Sequence, residues 1–215
     1  MRRGLVDEVF VTEAAAERFG DLLVDAPVQL VSERAAKALS DTVTPVGLVA
    51  VCRMPDASLA DVLSAPRLVA VAVDTADPGN AGTMIRLADA MGADALVLAG
   101  EGVDPYNAKC LRASAGSIFA VPVLEMTDTA VLVDALRTAG LRVLATTLDG
   151  ETSLDDADLS VPTAWLFGPE AHGLSADVAA LADARVRIPM VGSAESLNVA
   201  AAAAICLYQS SRASR

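Results

Sequence analysis

The chain has 215 residues, of which 53% are hydrophobic, 20% charged and only 3% aromatic, and its formal net charge is −12. This fits one large α/β domain, or one domain plus a small appendage, with a sizeable core of small, branched side chains. The acidic balance argues against holding nucleic acid by bulk phosphate neutralisation, and the scarcity of rings argues against a base-stacking platform.

Residues 5–11, 28–31 and 48–53 are Val/Leu/Phe-rich runs that read as strands, with helical patterns at 12–19 and 32–40 between them. Thr44-Pro45-Val46-Gly47 interrupts the pattern, and so does the polar stretch from Pro55 to Pro66. Residues 1–55 therefore read as a small α/β unit, 56–66 as a linker and 67–215 as the main domain. In that domain strands are expected at 68–73, 94–99, 119–124, 141–146, 163–167 and 185–189. Helices are expected at 79–91, 107–116, 128–139, 175–182 and 196–210. Strands separated by helices imply right-handed crossovers and a mostly parallel sheet with helices on both faces. The last helix carries Leu197, Val199, Ile205, Leu207 and Tyr208 around a run of alanines, so it should be buried on the domain or against a partner.

The start, Met1-Arg2-Arg3-Gly4-Leu5, runs into acidic residues rather than an apolar signal segment. No apolar run reaches the roughly 20 residues that span a bilayer, so a cytoplasmic protein with no membrane partner is expected. Cys52, Cys110 and Cys206 lie far apart, without C-x-x-C spacing, and His172 is the single histidine. No metal site is expected, and the thiols read as small buried hydrophobes.

Ligands of open α/β sheets bind at the carboxyl ends of strands. The first such end in the main domain, Asp74-Thr75-Ala76-Asp77-Pro78-Gly79-Asn80, lacks the G-x-G-x-x-G of dinucleotide enzymes, and no Walker loop occurs. This counts against a nicotinamide or nucleotide enzyme of doubly wound fold. The glycine-containing strand ends come late, at Leu166-Phe167-Gly168-Pro169-Glu170-Ala171-His172-Gly173 and Ile188-Pro189-Met190-Val191-Gly192. Glu195-Ser196-Leu197-Asn198-Val199 then opens the last helix.

These segments carry a resemblance to the SpoU (TrmH-type) RNA 2′-O-ribose methyltransferases of the SPOUT superfamily. Asp77-Pro78-Gly79-Asn80-Ala81-Gly82-Thr83 with Arg86-Leu87-Ala88-Asp89-Ala90 resembles the first family motif. Phe167-Gly168-Pro169-Glu170 with Gly173-Leu174-Ser175 resembles the second, and Ile188-Pro189-Met190 with Ser196-Leu197-Asn198-Val199-Ala200 the third. The segment Arg112-Ala113-Ser114-Ala115-Gly116, followed by Pro122, is also similar to the family. The likeness covers about residues 5–210 and is nearest to the two-domain 23S rRNA enzymes of the thiostrepton-resistance type. Residues 34–42 and 44–48 resemble their L30e-like RNA-binding domain. Such relatives begin with a further basic helix and strand, so the small domain is expected to be partial.

The resemblance implies a deep trefoil knot in the C-terminal third, S-adenosylmethionine (AdoMet) bound in the knot loops, a homodimer, and structured RNA as substrate, rRNA favoured over tRNA. It also implies roles. Arg86 would be the catalytic arginine and Asn80 would lie beside the acceptor ribose, with Glu170, Ser196 and Asn198 completing the active site. Gly168, Ile188 and Leu197 would hold the cofactor, with Thr146 as a lesser candidate. Lys109 and Arg112 would contact RNA phosphates. By spacing alone, Arg86 is equally a solvated helical arginine, Asn80 a helix cap and Glu170 a carboxylate at a surface turn. Likewise Ser196 reads as the cap of the last helix with Asn198 in its first turn, Lys109 and Arg112 as a charged helix face, and His172 as a loop residue. The reaction implied is in-line methyl transfer from a sulfonium to a ribose 2′-oxygen, with Arg86 holding the neighbouring phosphate and stabilising the developing alkoxide. The alternatives are an AdoMet- and RNA-binding module of the same fold that methylates weakly or not at all, and a tRNA 2′-O-methyltransferase.

Overall fold

The computed structural model describes residues 4–55 and 57–213. The chain divides after Pro55 into two compact units. In the first, β1 (Val6–Val11) is the middle strand of a three-stranded sheet, parallel to β2 (Val28–Leu30) and antiparallel to β3 (Leu48–Cys52). Helices α1 (Glu13–Arg18) and α2 (Gly20–Leu23) follow β1, and α3 (Glu33–Ala38) follows β2. The side chains of Thr12 and Ser32 cap α1 and α3 by accepting from backbone N–H groups three residues on. Val9, Val11 and Ala15 form the small core.

The second unit begins with α4 (Leu59–Val62). Its strands are β4 (Leu68–Val73), β5 (Ala95–Ala99), β6 (Val123–Met126), β7 (Arg142–Thr146), β8 (Thr152–Ser153), β9 (Thr163–Phe167) and β10 (Ala184–Arg187). Its remaining helices are α5 (Pro78–Met91), α6 (Ala108–Ser114), α7 (Thr129–Thr138), α8 (Ala176–Ala180) and α9 (Val199–Ala213). The strands pair in parallel in the order β6-β5-β4-β9-β7-β10-β8.

Side chains alternate across a strand, so the central strands feed two cores. β4 sends Leu68, Ala70 and Ala72 into a core with α5, α6 and α9, and Val69, Val71 and Val73 into a core with α4, α7 and α8. Burial on both faces is why these strands are nearly unbroken apolar runs. Small and large residues are matched across the pairing: Ala70 lies opposite Trp165 and Ala72 opposite Phe167. Cys110 and Cys206 are buried, and burial pushes their thiols up to about 11 and about 12.

Four local expectations need correcting. The strand expected at 119–124 begins at Val123, after a 3₁₀ turn at Ser117–Phe119, because Pro122 has no N–H to give the ladder. The two-residue β8 is too short to leave a periodic signal. Within 56–66, α4 carries a capping box between Ser58 and Asp61 and buries Val62. The last helix starts at Val199 rather than 196 and runs to Ala213.

Candidate active site

Three loops at the carboxyl ends of neighbouring strands enclose a cleft of about 410 Å³, within the roughly 300–1,000 Å³ usual for small-molecule sites. The loop after β7 supplies Thr146, Thr147, Leu148 and Asp149. The loop after β9 supplies Gly168, Pro169, Glu170, His172, Gly173 and Leu174. The segment after β10 supplies Ile188, Met190, Ser196 and Leu197, and Val199 and Ala202 of α9 close the wall. The four candidate cofactor residues, Thr146, Gly168, Ile188 and Leu197, therefore meet in one place. Thr146 already donates its hydroxyl to the Leu166 carbonyl at 3.0 Å, while the Thr147 hydroxyl has no partner among the described residues. Gly168 is required sterically, since a Cβ there would collide with the backbone of Gly173 and Leu174 and push the loop out of shape.

At one edge of this cleft lies a polar cluster drawn from three distant stretches of chain. The Asn198 side-chain nitrogen donates to Glu170 and, at 3.1 Å, to the Asn80 side-chain oxygen. Glu170 also accepts from the Val199 N–H at 3.3 Å, at the N-terminus of α9, where the helix dipole favours a carboxylate. The Asn198 side-chain oxygen accepts from Ala200 N (3.0 Å) and Ala201 N (3.2 Å). Asn198 is thus the cap of α9 and not a first-turn residue, and Ser196 stands in the preceding loop. Asparagine outcompetes a serine two residues earlier because its oxygen reaches both free N–H groups. Asn80 is not a cap either. Asp77 caps α5 by accepting from Asn80 N at 2.9 Å, with Pro78 preset for the first helical position.

Lys109 pairs with Asp77 at 2.7 Å. The Lys109 ammonium, then the Asn80 N–H, holds the Asp77 carboxyl below the usual carboxylate range. Arg86 is exposed on α5 between buried Ile85 and half-buried Leu87, and Arg112 is exposed on α6. Neither side chain makes a hydrogen bond or ion pair among the described residues, so the fold has no evident use for either charge. Asp149, Arg185 and Thr147 also line the cleft and were not anticipated. For Asp149 the available signal was the Asp-Gly pair shortly after strand 141–146.

Residues 67–208 match the model of the SpoU rRNA Methylase family. Over 205 residues the chain is 38% identical to the 23S rRNA (guanosine(2553)-2′-O)-methyltransferase RlmP of Bacillus subtilis, covering 95% of this chain and 80% of that protein. It is 38% identical over 174 residues to the 23S rRNA (uridine(2479)-2′-O)-methyltransferase of Streptomyces viridochromogenes, with 78% and 61% covered. Among solved structures, the SpoU methyltransferase AviRb from Streptomyces viridochromogenes in complex with AdoMet superposes with a TM-score of 0.85 at 32% identity, over 97% of this chain and 83% of that one.

Proposed function

Since this chain belongs to the SpoU rRNA methylase family, we propose that it transfers a methyl group from AdoMet to a ribose 2′-hydroxyl of ribosomal RNA. The observation that carries this reading is the cleft of three late loops with the Glu170–Asn198–Asn80 cluster at its edge. The cleft suits AdoMet chemically. Leu174, Ile188, Leu197 and Val199 offer apolar walls for a flat ring, and the carboxylates of Asp149 and Glu170 complement a cationic ligand. When bound, AdoMet supplies an activated methyl on a good leaving group. What remains for the protein is to place the hydroxyl and stabilise its developing charge. Asn80, with its oxygen engaged by Asn198, keeps its N–H groups for the acceptor ribose. Glu170 fixes Asn198 and presents its second oxygen, and Ser196 borders the same edge. Arg86, unpaired in the free protein, grips the adjacent phosphate and stabilises the alkoxide. Arg112 and Lys109 add local phosphate contacts without making the protein basic overall. Ribosomal RNA is favoured over tRNA because the relatives just described are named as 23S rRNA enzymes.

In this reading residues 1–55 are a partial L30e-like RNA-binding domain, 56–66 its linker and 67–215 the catalytic domain. A deep trefoil knot is part of the same proposal, and the strand order supports it. The chain leaves β7, forms β8 at the sheet edge, returns to place β9 between β4 and β7, and then inserts β10 into the gap between β7 and β8. The β7–β8 connection lies across β10, since Arg187 donates to the carbonyls of Gly150 (2.8 Å) and Glu151 (3.2 Å). A ribosomal substrate places the protein in the cytoplasm; among the described residues no helix is long and apolar enough to cross a membrane.

Incubation with AdoMet carrying a labelled methyl and with 23S rRNA should yield one new 2′-O-methyl nucleotide by mass spectrometry. Calorimetry should show AdoMet binding in the presence of a chelator. Well-folded protein that fails to bind AdoMet would refute the reading; AdoMet binding without methylation of any ribosomal RNA would reduce it to the binding module.

We also propose a homodimer built on α9. One face of α9 is buried through Ala203, Cys206 and Leu207, yet Ile205 is 37% and Tyr208 49% exposed. Light scattering at micromolar concentration should give twice the chain mass, and a monomer would contradict this assignment.

A further inference from the structure

The cleft holds two carboxylates, those of Glu170 and Asp149. Glu170 is occupied by Asn198 and the N-terminus of α9, at the edge where Asn80 marks the acceptor side. Asp149 comes from a different loop, and several contacts tie that loop to β10. Thr147 N bonds the Val186 carbonyl at 3.0 Å. Arg187 ties down the carbonyls of Gly150 and Glu151. Gly150 is pressed so closely on β10 that a Cβ would lie 2.7 Å from Arg187 N and 2.9 Å from the Arg185 carbonyl. Arg185 completes the clamp, bonding Glu151 through its Nε at 3.0 Å and approaching one Asp149 oxygen at 3.4 Å.

An ion pair as exposed as Asp149 with Arg185, at 78% and 42%, adds little to stability. Its fixed geometry therefore calls for another use. The other Asp149 oxygen has no partner among the described residues, and a carboxylate is an acceptor only, able to take two hydroxyl groups at once. A carboxylate at the carboxyl end of a parallel strand is a general means of taking up a ribose hydroxyl in α/β proteins. Resting on the AdoMet reading of the cleft, we propose that Asp149, steadied by Arg185, recognises the cofactor's ribose by accepting hydrogen bonds from its vicinal hydroxyls.

The test is calorimetry with AdoMet and with its 2′,3′-dideoxyribose analogue. The proteins are wild type, Asp149→Ala, Asp149→Asn and Asp89→Asn, the last removing an equal charge from the exposed side of α5. Wild type should bind the analogue roughly ten- to a hundredfold more weakly than AdoMet, the range for hydrogen bonds to a charged group. Asp149→Ala should lose a similar factor for AdoMet and no longer discriminate between the two ligands. Asp149→Asn, which keeps the shape, should lose an intermediate factor and serves if the alanine variant is destabilised. Asp89→Asn should match wild type. Unchanged AdoMet affinity in Asp149→Ala and Asp149→Asn would overturn the proposal. So would full discrimination surviving in those variants, which would point to the cofactor's ammonium as the partner, or an equal loss in Asp89→Asn, which would mean a general field effect. If wild type bound no AdoMet at all, the reading of the cleft itself would fail, a result distinct from any of these.

Discussion

Arg86→Ala is expected to lower single-turnover methyl transfer by on the order of a hundredfold or more, the usual cost of losing one charge-stabilising donor, while AdoMet affinity stays nearly unchanged. The two effects separate because the cleft is lined from residues 146–202, whereas Arg86 stands on α5 and does not line it. Since the Arg86 side chain is exposed and makes no hydrogen bond or ion pair among the described residues, its removal should also leave the melting temperature close to that of wild type. Arg86→Lys should recover little, because an ammonium does not reproduce the planar, two-pronged grip of a guanidinium on a phosphate. Single-turnover rates and cofactor titrations on both variants decide the matter. Wild-type rates in Arg86→Ala would remove the residue from the site and leave it a solvated helical arginine. A parallel loss of cofactor binding would make its role structural.

Trp165→Ala should cost about 3–5 kcal/mol, the range for deleting a large buried ring. At roughly 2–4 °C per kcal/mol for a unit of this size, the melting temperature should fall by about 6–20 °C. Trp165 is fully buried in the middle of β9, stacked near Phe167 with ring centroids 6.3 Å apart. Its indole N–H donates to the Ser210 hydroxyl at 2.9 Å, tying β9 to α9. Those two elements carry Glu170 and Asn198 at their cleft ends, so AdoMet affinity should fall with stability. Trp165→Phe keeps most of the ring and loses the bond, and should show a smaller drop in both. A melting temperature within about 2 °C of wild type in Trp165→Ala would show that the core relaxes around the cavity, against this account.

Much of the main domain is legible along the chain because burial on both faces imposes a local signature. Leu68–Val73 and Thr163–Phe167 fall where unbroken apolar runs put them, and Pro78 and Gly92 bracket α5 as helix-end chemistry requires. The order of the glycine-bearing strand ends likewise singled out the late loops at Gly168 and Ile188, which meet in one cleft. Element boundaries were less visible where competing caps stand close together. Ser196 and Asn198 are both good caps, and only the folded chain shows that it is the Asn198 oxygen that meets the free N–H groups of Ala200 and Ala201.

What the amino-acid order determined by itself, then, is the identity of the elements, since these follow from periodicity and end residues within a dozen positions. Which elements adjoin was decided only in three dimensions. Asn80 meets Asn198 across 118 positions, and nothing in either segment names the other. Asp149 gains its place in the cleft because β10 slots between β7 and β8 and clamps the loop above it. Such pairings depend on complementary shape between strands, Ala70 against Trp165 and Ala72 against Phe167. Shape complementarity is a property of two surfaces together, and no single stretch of sequence contains it.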